Sequence, residues 1–293
     1  MVGSELVMAG MVMGGLGIAL SAVLAMANSK LHVEEDPRID QVDALLPHAN
    51  CGACGMPGCR AFAEATVGGQ IAPGKCTVNT ASKIEAIASL LGVDAGREEK
   101  RVARLACAGG AHVARMQARY AGLSTCRAAA LVSGGGKGCA WGCLGLADCQ
   151  VVCEFGAITM NEFGLPVVDE EKCTACNACV EVCPKGLFSL HPISHRLWVA
   201  CKNEALGEEA EADCAVACTG CGRCAADAPA GLIAIKHNLA VIDYRNFQTA
   251  SQKPIQRCPT GAIVWLEEKK GPIKGPDAKK ITRRSPLPLG KAG

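Results

Sequence analysis

Apolar residues fall along the chain in three different patterns. Leu6 to Ala27 is an unbroken run without a charge, long enough to cross a bilayer as a helix. The stretch "ASKIEAIASLLG" at 81–92 repeats its apolar residues at the spacing of an amphipathic helix. Beyond it the apolar runs are short. Ala157 to Met160 and Leu165 to Val168 read as the two strands of a hairpin, and a further helix is expected around 111–121. Only 3% of the residues are aromatic and 34 are Gly, which argues against one large core. Several small units held by something besides apolar burial fit better.

The first pattern predicts a membrane anchor. Ala25-Met26-Ala27 resembles a signal-peptidase site, but no basic region precedes the apolar run and the run is longer than a usual signal core. Lys30 and Arg38 follow the span and no Lys or Arg precedes it, so the bulk of the chain is expected to face the cytoplasm. Gly10, Gly14, Gly17 and Ser21 recur at helical spacing. They would either admit a partner helix or reflect the usual glycine content of membrane spans.

Composition then turns attention to cysteine. The 293 residues include 20 Cys, 49% are apolar and the formal charge is +2. A disordered chain and a nucleic-acid binder driven by bulk charge are thereby excluded. Disulfides, zinc and iron–sulfur clusters remain, and spacing separates them. Cys173-x2-Cys176-x2-Cys179-x3-Cys183-Pro184 is the bacterial ferredoxin run, in which the fourth Cys reaches the neighbouring cube. Zinc would call for well-separated Cys pairs or Cys with His, and a cytoplasmic location disfavours disulfides. The partner run is Cys139-x3-Cys143-x5-Cys149-x3-Cys153, with Glu154 where Pro would stand. Crossed ligation puts one cube on Cys139, Cys143, Cys149 and Cys183, and another on Cys153, Cys173, Cys176 and Cys179.

The chain also matches itself. Cys126, Cys139, Cys143 and Cys149 each find a later Cys at one constant offset, at Cys201, Cys214, Cys218 and Cys224. Cys-x-x-Gly-Ala-Ile occurs at both 153 and 258. These coincidences predict a duplicated ferredoxin-like unit. Ala228, Phe247, Ala250 and Lys253 replace Cys153, Cys173, Cys176 and Cys179, so the copy has lost one cube as a set. Cys218, Cys221, Cys224 and Cys258 should hold the survivor. Upstream, Cys51, Cys54, Cys59 and Cys76 lie in "NCGACGMPGCRAFAEA…GKC" and can surround another cube, with glycines that let backbone N–H groups approach its sulfurs. Four [4Fe–4S] clusters are thus expected on 16 Cys. Cys107, Cys126, Cys201 and Cys214 stay unassigned: Cys126 and Cys214 could replace a neighbour, or the thiols could be buried small hydrophobes, or a fifth cluster could form.

"SGGGKG" at 133–138 lacks the glycine spacing and the Ser or Thr of a phosphate loop. No dinucleotide fingerprint and no nucleophile–base pair is evident. The expected fold is α+β: a single transmembrane anchor (1–30), a four-Cys module (31–95), a helical linker (96–138), a ferredoxin-like unit with two clusters (139–195), a degenerate one with a single cluster (196–266), and a disordered tail (267–293). From Glu267 onward eight Lys or Arg stand against three acids.

Anchor, four-Cys module and ferredoxin-like units in this order resemble the B-subunit family of the Rnf complex. "NCGACGMPGCRAFAEA" and "GCLGLADCQVVCEFGAI" carry the resemblance most specifically, and it covers residues 1–266. It implies an electron-transfer component of an ion-translocating ferredoxin:NAD oxidoreductase at the cell (inner) membrane. Such a component takes electrons from soluble ferredoxin at the cytoplasmic face and passes them to other membrane subunits. The missing cube of the second unit departs from a simple duplication. Two other readings stay open: electron delivery to a different redox enzyme, of carbon monoxide dehydrogenase or hydrogenase type, and a cluster-based sensor.

Overall fold

The computed structural model describes residues 2–31, 35–96, 98–267 and 271–289. The chain begins with α1 (Val2–Leu31). Within it Met8–Lys30 has a mean hydropathy of 1.9 and is entirely unburied against the rest of the protein, long and apolar enough to span a bilayer. Part of the expected charged linker, residues 32–34, lies outside the described residues.

The module that follows is helical. Asp36 caps α2 (Pro37–Leu45) by accepting from the Arg38 N–H, with Pro37 at the first helical position, where its missing donor costs nothing. Next come α3 (Cys59–Val67) and the expected amphipathic α4 (Ala81–Leu91). Gly92 ends α4 in the left-handed conformation, at φ 67°. Val42, Leu46, Phe62, Ala63 and Ile87 form the core together with Cys76. Arg60 on α3 pairs with Asp40 on α2 and with Glu35 ahead of it.

Beyond residue 100 the elements are short. In chain order they are β1 (Arg101–Leu105), α5 (Cys126–Leu131), α6 (Asp148–Val151), β2 (Ile158–Met160), β3 (Pro166–Val168), α7 (Ala178–Val182) and β4 (Phe188–Pro192). They continue as β5 (Leu197–Val199), α8 (Gly207–Asp213), α9 (Arg223–Asp227), β6 (Ile233–Lys236), β7 (Leu239–Ile242), β8 (Ile263–Glu267) and β9 (Gly271–Ile273). The expected hairpin is present as β2–β3, with Ile158 opposite Val168. A similar hairpin, β6–β7, sets Ile233 opposite Ile242; its first strand lies at the offset that relates the cysteines and its second one residue short of it. Two antiparallel pairs frame these hairpins: β1 with β4, and β5 with β8. Ala106 N–H donates to Leu187 O and Ala200 N–H to Ala262 O, each at 2.8 Å. The two acceptors are separated by that same offset, whereas the two donors lie further apart. The two halves share these pairings, with a longer stretch between strand and cysteine-bearing loop after Cys107 than after Cys201.

Where the second half lacks Cys153, Cys173, Cys176 and Cys179, packing takes over. Ala228, Phe247 and Ala250 lie against a core built on Leu197, Leu232, Ile242, Ile255 and Ile263.

Two expectations change. Residues 96–138 are not a helical linker: β1 belongs to the sheet with β4, and 111–121 is a succession of turns bridged at Met116–Lys137 and Ala114–Cys214. Bridging supplies the backbone partners that a helix would have supplied locally. The described part of the tail is laid against the body. β9 pairs with β8, Ile281 packs against Val113 and Ala114, and the Lys279 and Leu287 N–H groups donate to Pro259 O and Ala111 O, each at 2.9 Å. Two apolar side chains, Ile273 and Ile281, and these backbone bonds outweigh a composition that reads as disordered. Residues 268–270 and 290–293 lie outside the described residues.

His191 on β4 sits in a nest of rings. Its imidazole lies 5.0 Å from Trp198 and 4.7 Å from Tyr244, centroid to centroid, and Nδ1 is 3.3 Å from Nδ1 of His195. Burial, then the charges of His195, Arg104 and Arg101, push its pKa down to about 4. As pH falls below about 6.5 the unfolded chain gains a proton that the folded chain refuses until about 4. His191 should therefore cost stability across that window. Melting curves between pH 7 and 4 should fall less steeply for His191→Gln than for the parent; equal slopes would contradict the assignment.

Candidate iron–sulfur centres

All twenty cysteines are reduced and none is disulfide-bonded. They line five small cavities of nearly equal size. Four thiols line each cavity, and no cysteine serves two.

The first cavity is held by Cys51, Cys54, Cys59 and Cys76. A loop with Gly52 and Gly55 at φ 69° and 85° leads into α3, and the Asn50 side chain accepts from the Cys59 N–H at 2.8 Å. The second is held by Cys153, Cys173, Cys176 and Cys179, the set expected from crossed ligation. The fifth is held by Cys218, Cys221, Cys224 and Cys258.

The other two differ from expectation. Cys143, Cys149 and Cys183 come together with Cys126, not Cys139, around the third cavity. Cys126 opens α5, where Thr125 caps the helix by accepting from the Ala128 N–H. Cys139 lies in the fourth cavity with Cys107, Cys201 and Cys214. This cavity is a junction. Cys107 follows β1 and Cys201 follows β5 at the same distance along the chain, while Cys139 and Cys214 are partners in the repeat. Each half of the molecule thus contributes two thiols from equivalent places. The stretch from Cys107 to Cys139 is much longer than that from Cys201 to Cys214. This insertion hides the correspondence from any fixed-offset comparison; aligning each Cys to the strand before it would have exposed it.

The surroundings suit thiolates bound to iron. Backbone N–H groups point at sulfur throughout: Ala103 to Cys173 and Cys143 to Cys107 at 3.4 Å, Ala157 to Cys153 and Cys218 to Cys201 at 3.3 Å. Such donors stabilise the charged form and tune a cluster. In the fourth cavity Asn203, 1% exposed, aims its side-chain amide at Cys139 Sγ from 3.6 Å. Gly109 leaves room there: a Cβ would stand 3.0 Å from Cys214 Sγ. Thr174, lining the second cavity, has a buried hydroxyl oxygen without a protein partner.

The most deeply buried thiols resist ionisation on their own. Burial, reinforced by neighbouring thiols, pushes Cys143, Cys149, Cys179, Cys201 and Cys224 up to about 12 and Cys214 to about 11. Four such groups around one space need a bound positive charge to ionise together. Among the described residues no three His, Cys, Asp or Glu side chains converge as a single metal ion requires. Four thiols standing apart around a common space fit a polynuclear iron–sulfur body instead.

The cavities are joined in succession. Thr77 of the first donates its hydroxyl to Thr174 O of the second at 2.6 Å. Cysteines of the second and third share one core. The Cys143 N–H of the third reaches Cys107 of the fourth, and the Cys218 N–H of the fifth reaches Cys201 of the fourth.

Comparison with known proteins agrees with this chemistry. Residues 46–78 match the family described as "Putative Fe-S cluster", and residues 166–188 match the 4Fe-4S binding domain. The B subunit of the Na(+)-translocating ferredoxin:NAD(+) oxidoreductase complex of Acetobacterium woodii is 41% identical over 86% of this chain and 75% of the relative. The B subunit of the ion-translocating oxidoreductase complex of Methanosarcina acetivorans is 36% identical over 86% and 95%. The B subunit of the proton-translocating ferredoxin:NAD(+) oxidoreductase complex of Clostridium ljungdahlii is 38% identical over 86% and 89%. With two iron–sulfur family matches and likeness to these relatives over most of their length, the chain belongs to the B-subunit family of the Rnf-type ion-translocating oxidoreductase complexes.

Proposed function

We propose that this chain is a membrane-tethered electron conduit with five [4Fe–4S] sites in single file, fed by a reduced ferredoxin and emptying into the membrane subunits of an ion-translocating ferredoxin:NAD oxidoreductase. The observation that carries the reading is the unbroken succession of five four-thiol cavities. The bound clusters supply one-electron storage at low potential; the protein supplies everything else. Twenty thiolates hold them, N–H donors set their charge balance, and apolar walls keep water away. Cys107, Cys139, Cys201 and Cys214 would hold the junction cluster, and the two halves are duplicated ferredoxin-like units of which the second has exchanged one cluster for apolar packing.

Direction follows from the ends of the file. The first cavity belongs to the module directly after α1, hence beside the membrane. Lys30 and Arg38 favour the cytoplasmic side for all five. At the far end, Cys221 is the one exposed cysteine of the twenty, so the fifth site is where a soluble carrier approaches.

Anaerobic mixing of the solubilised full-length chain with reduced ferredoxin should bleach its visible absorption. Cys221→Ser should slow that bleaching at least tenfold while dithionite still reduces the remaining sites, and Cys54→Ser should leave the rate unchanged. If the parent is reduced by dithionite alone, another donor serves it, as delivery to a different redox enzyme would require. Cys126→Ser and Cys139→Ser should each remove a different cluster signal in electron paramagnetic resonance; loss of the same signal from both would return Cys139 to the set of Cys143, Cys149 and Cys183.

A further inference from the structure

The glycine-rich "SGGGKG" segment lacks the pattern of a phosphate loop, yet its geometry is demanding. Gly134, Gly135 and Gly136 all take the left-handed conformation, at φ 62°, 68° and 77°. A Cβ on Gly136 would collide with Ala118 O, and Gly136 O accepts from both the Gln117 and Ala118 N–H groups. The tight turn delivers Lys137, paired across the Met116 bridge, into the wall of the fourth cavity.

The Lys137 ammonium is clamped there. Nζ donates to Gly109 O, on the Cys107 side of the fourth cavity, and to Cys143 O, on the third, each at 2.6 Å in part-buried positions. Among the described residues no carboxylate forms an ion pair with it. Its charge therefore sits in the wall of the fourth cavity and against the backbone of Cys143, which lines the third. Asp213 opposes it at Cys139. Lys185 and Lys202 also border these cavities. Their ammonium groups bond Ala140 O and Gly186 O in exposed positions, where solvent screens them. Lys274, exposed as a residue but with its ammonium partly withdrawn from water, faces the Cys258 thiol of the fifth cavity first and Cys214 of the fourth second.

We infer that Lys137 is a fixed positive charge shared by the third and fourth cluster sites, raising the reduction potential of both so that the middle of the file holds an electron more readily than it otherwise would. The inference rests on the five-site reading proposed for the chain. Reduction adds one negative charge to a site, and a nearby cation partly withdrawn from water stabilises that added charge more than it stabilises the oxidised form. The clamp of two carbonyls keeps the cation from swinging to solvent. Lys137 gives both of its printed hydrogen bonds to backbone carbonyls and supplies no sulfur, so it acts on potential and not as a ligand.

The test is a redox titration of the full-length, cluster-loaded protein in detergent, followed by electron paramagnetic resonance, with iron and sulfide measured on every sample. In Lys137→Gln and Lys137→Met, two cluster signals should become harder to reduce by at least tenfold in the reduction equilibrium, about 59 mV for a one-electron couple. The others should stay in place and the iron content should match the parent. Lys137→Arg should retain the parent potentials, and Lys202→Gln, at an exposed lysine, should move them far less. Unchanged potentials in fully loaded Lys137→Gln would overturn the inference, as would an equal fall in Lys137→Arg. Iron lost from the two sites in both neutral variants would make Lys137 a structural clamp and overturn it too. Failure of the five-site reading itself would be visible in the parent, before any substitution, as too little iron.

Discussion

Four thiolates around one small, partly buried space repel one another unless something positive lies between them. The shape of this protein follows from that constraint. Most of its elements after residue 100 are strands and helices of three to seven residues, far below the length at which a helix stands alone. They are placed where a cysteine must face a cavity, and their cores mix Leu, Ile and Val with Cys in the same clusters. In such a molecule metal binding and folding are one equilibrium. In the second half, Phe247, Ala228 and Ala250 lie against the apolar core, where the first half has cavity-lining cysteines.

Much of this was legible in the sequence because the signals are local. The apolar run of α1, the helical period of α4, the β2–β3 hairpin and the four-thiol sets of the first, second and fifth cavities all lie within short windows or follow from one repeat. The third and fourth cavities were not legible in the same way. Their ligands come from places fixed by pairing between distant strands: Cys107 by β1 against β4, Cys201 by β5 against β8. A constant offset matches Cys126 to Cys201, whereas the strands match Cys107 to Cys201. The segment inserted after Cys107 in one half is enough to break the first comparison and leaves the second intact.

Two further features escaped for a related reason. The Ala-rich segment around 111–121 has helical composition, yet it is drawn out by bridges to Lys137 and Cys214, partners that lie outside any short window. The basic tail carries the charge pattern of a disordered segment, but Ile281 packs on the core that holds Cys214, Ile273 packs on the core that holds Cys258, and backbone donors reach Pro259 and Ala111. In both, tertiary pairing overrides local propensity.

The junction cavity joins the two halves of the file, so its occupancy bears on everything else. Iron and acid-labile sulfide, counted per chain on anaerobically purified protein, test it most directly. Five cubes require about 20 of each. A count of about 16, with Cys107, Cys139, Cys201 and Cys214 open to alkylation while the other sites stay loaded, would contradict a conduit that runs through all five.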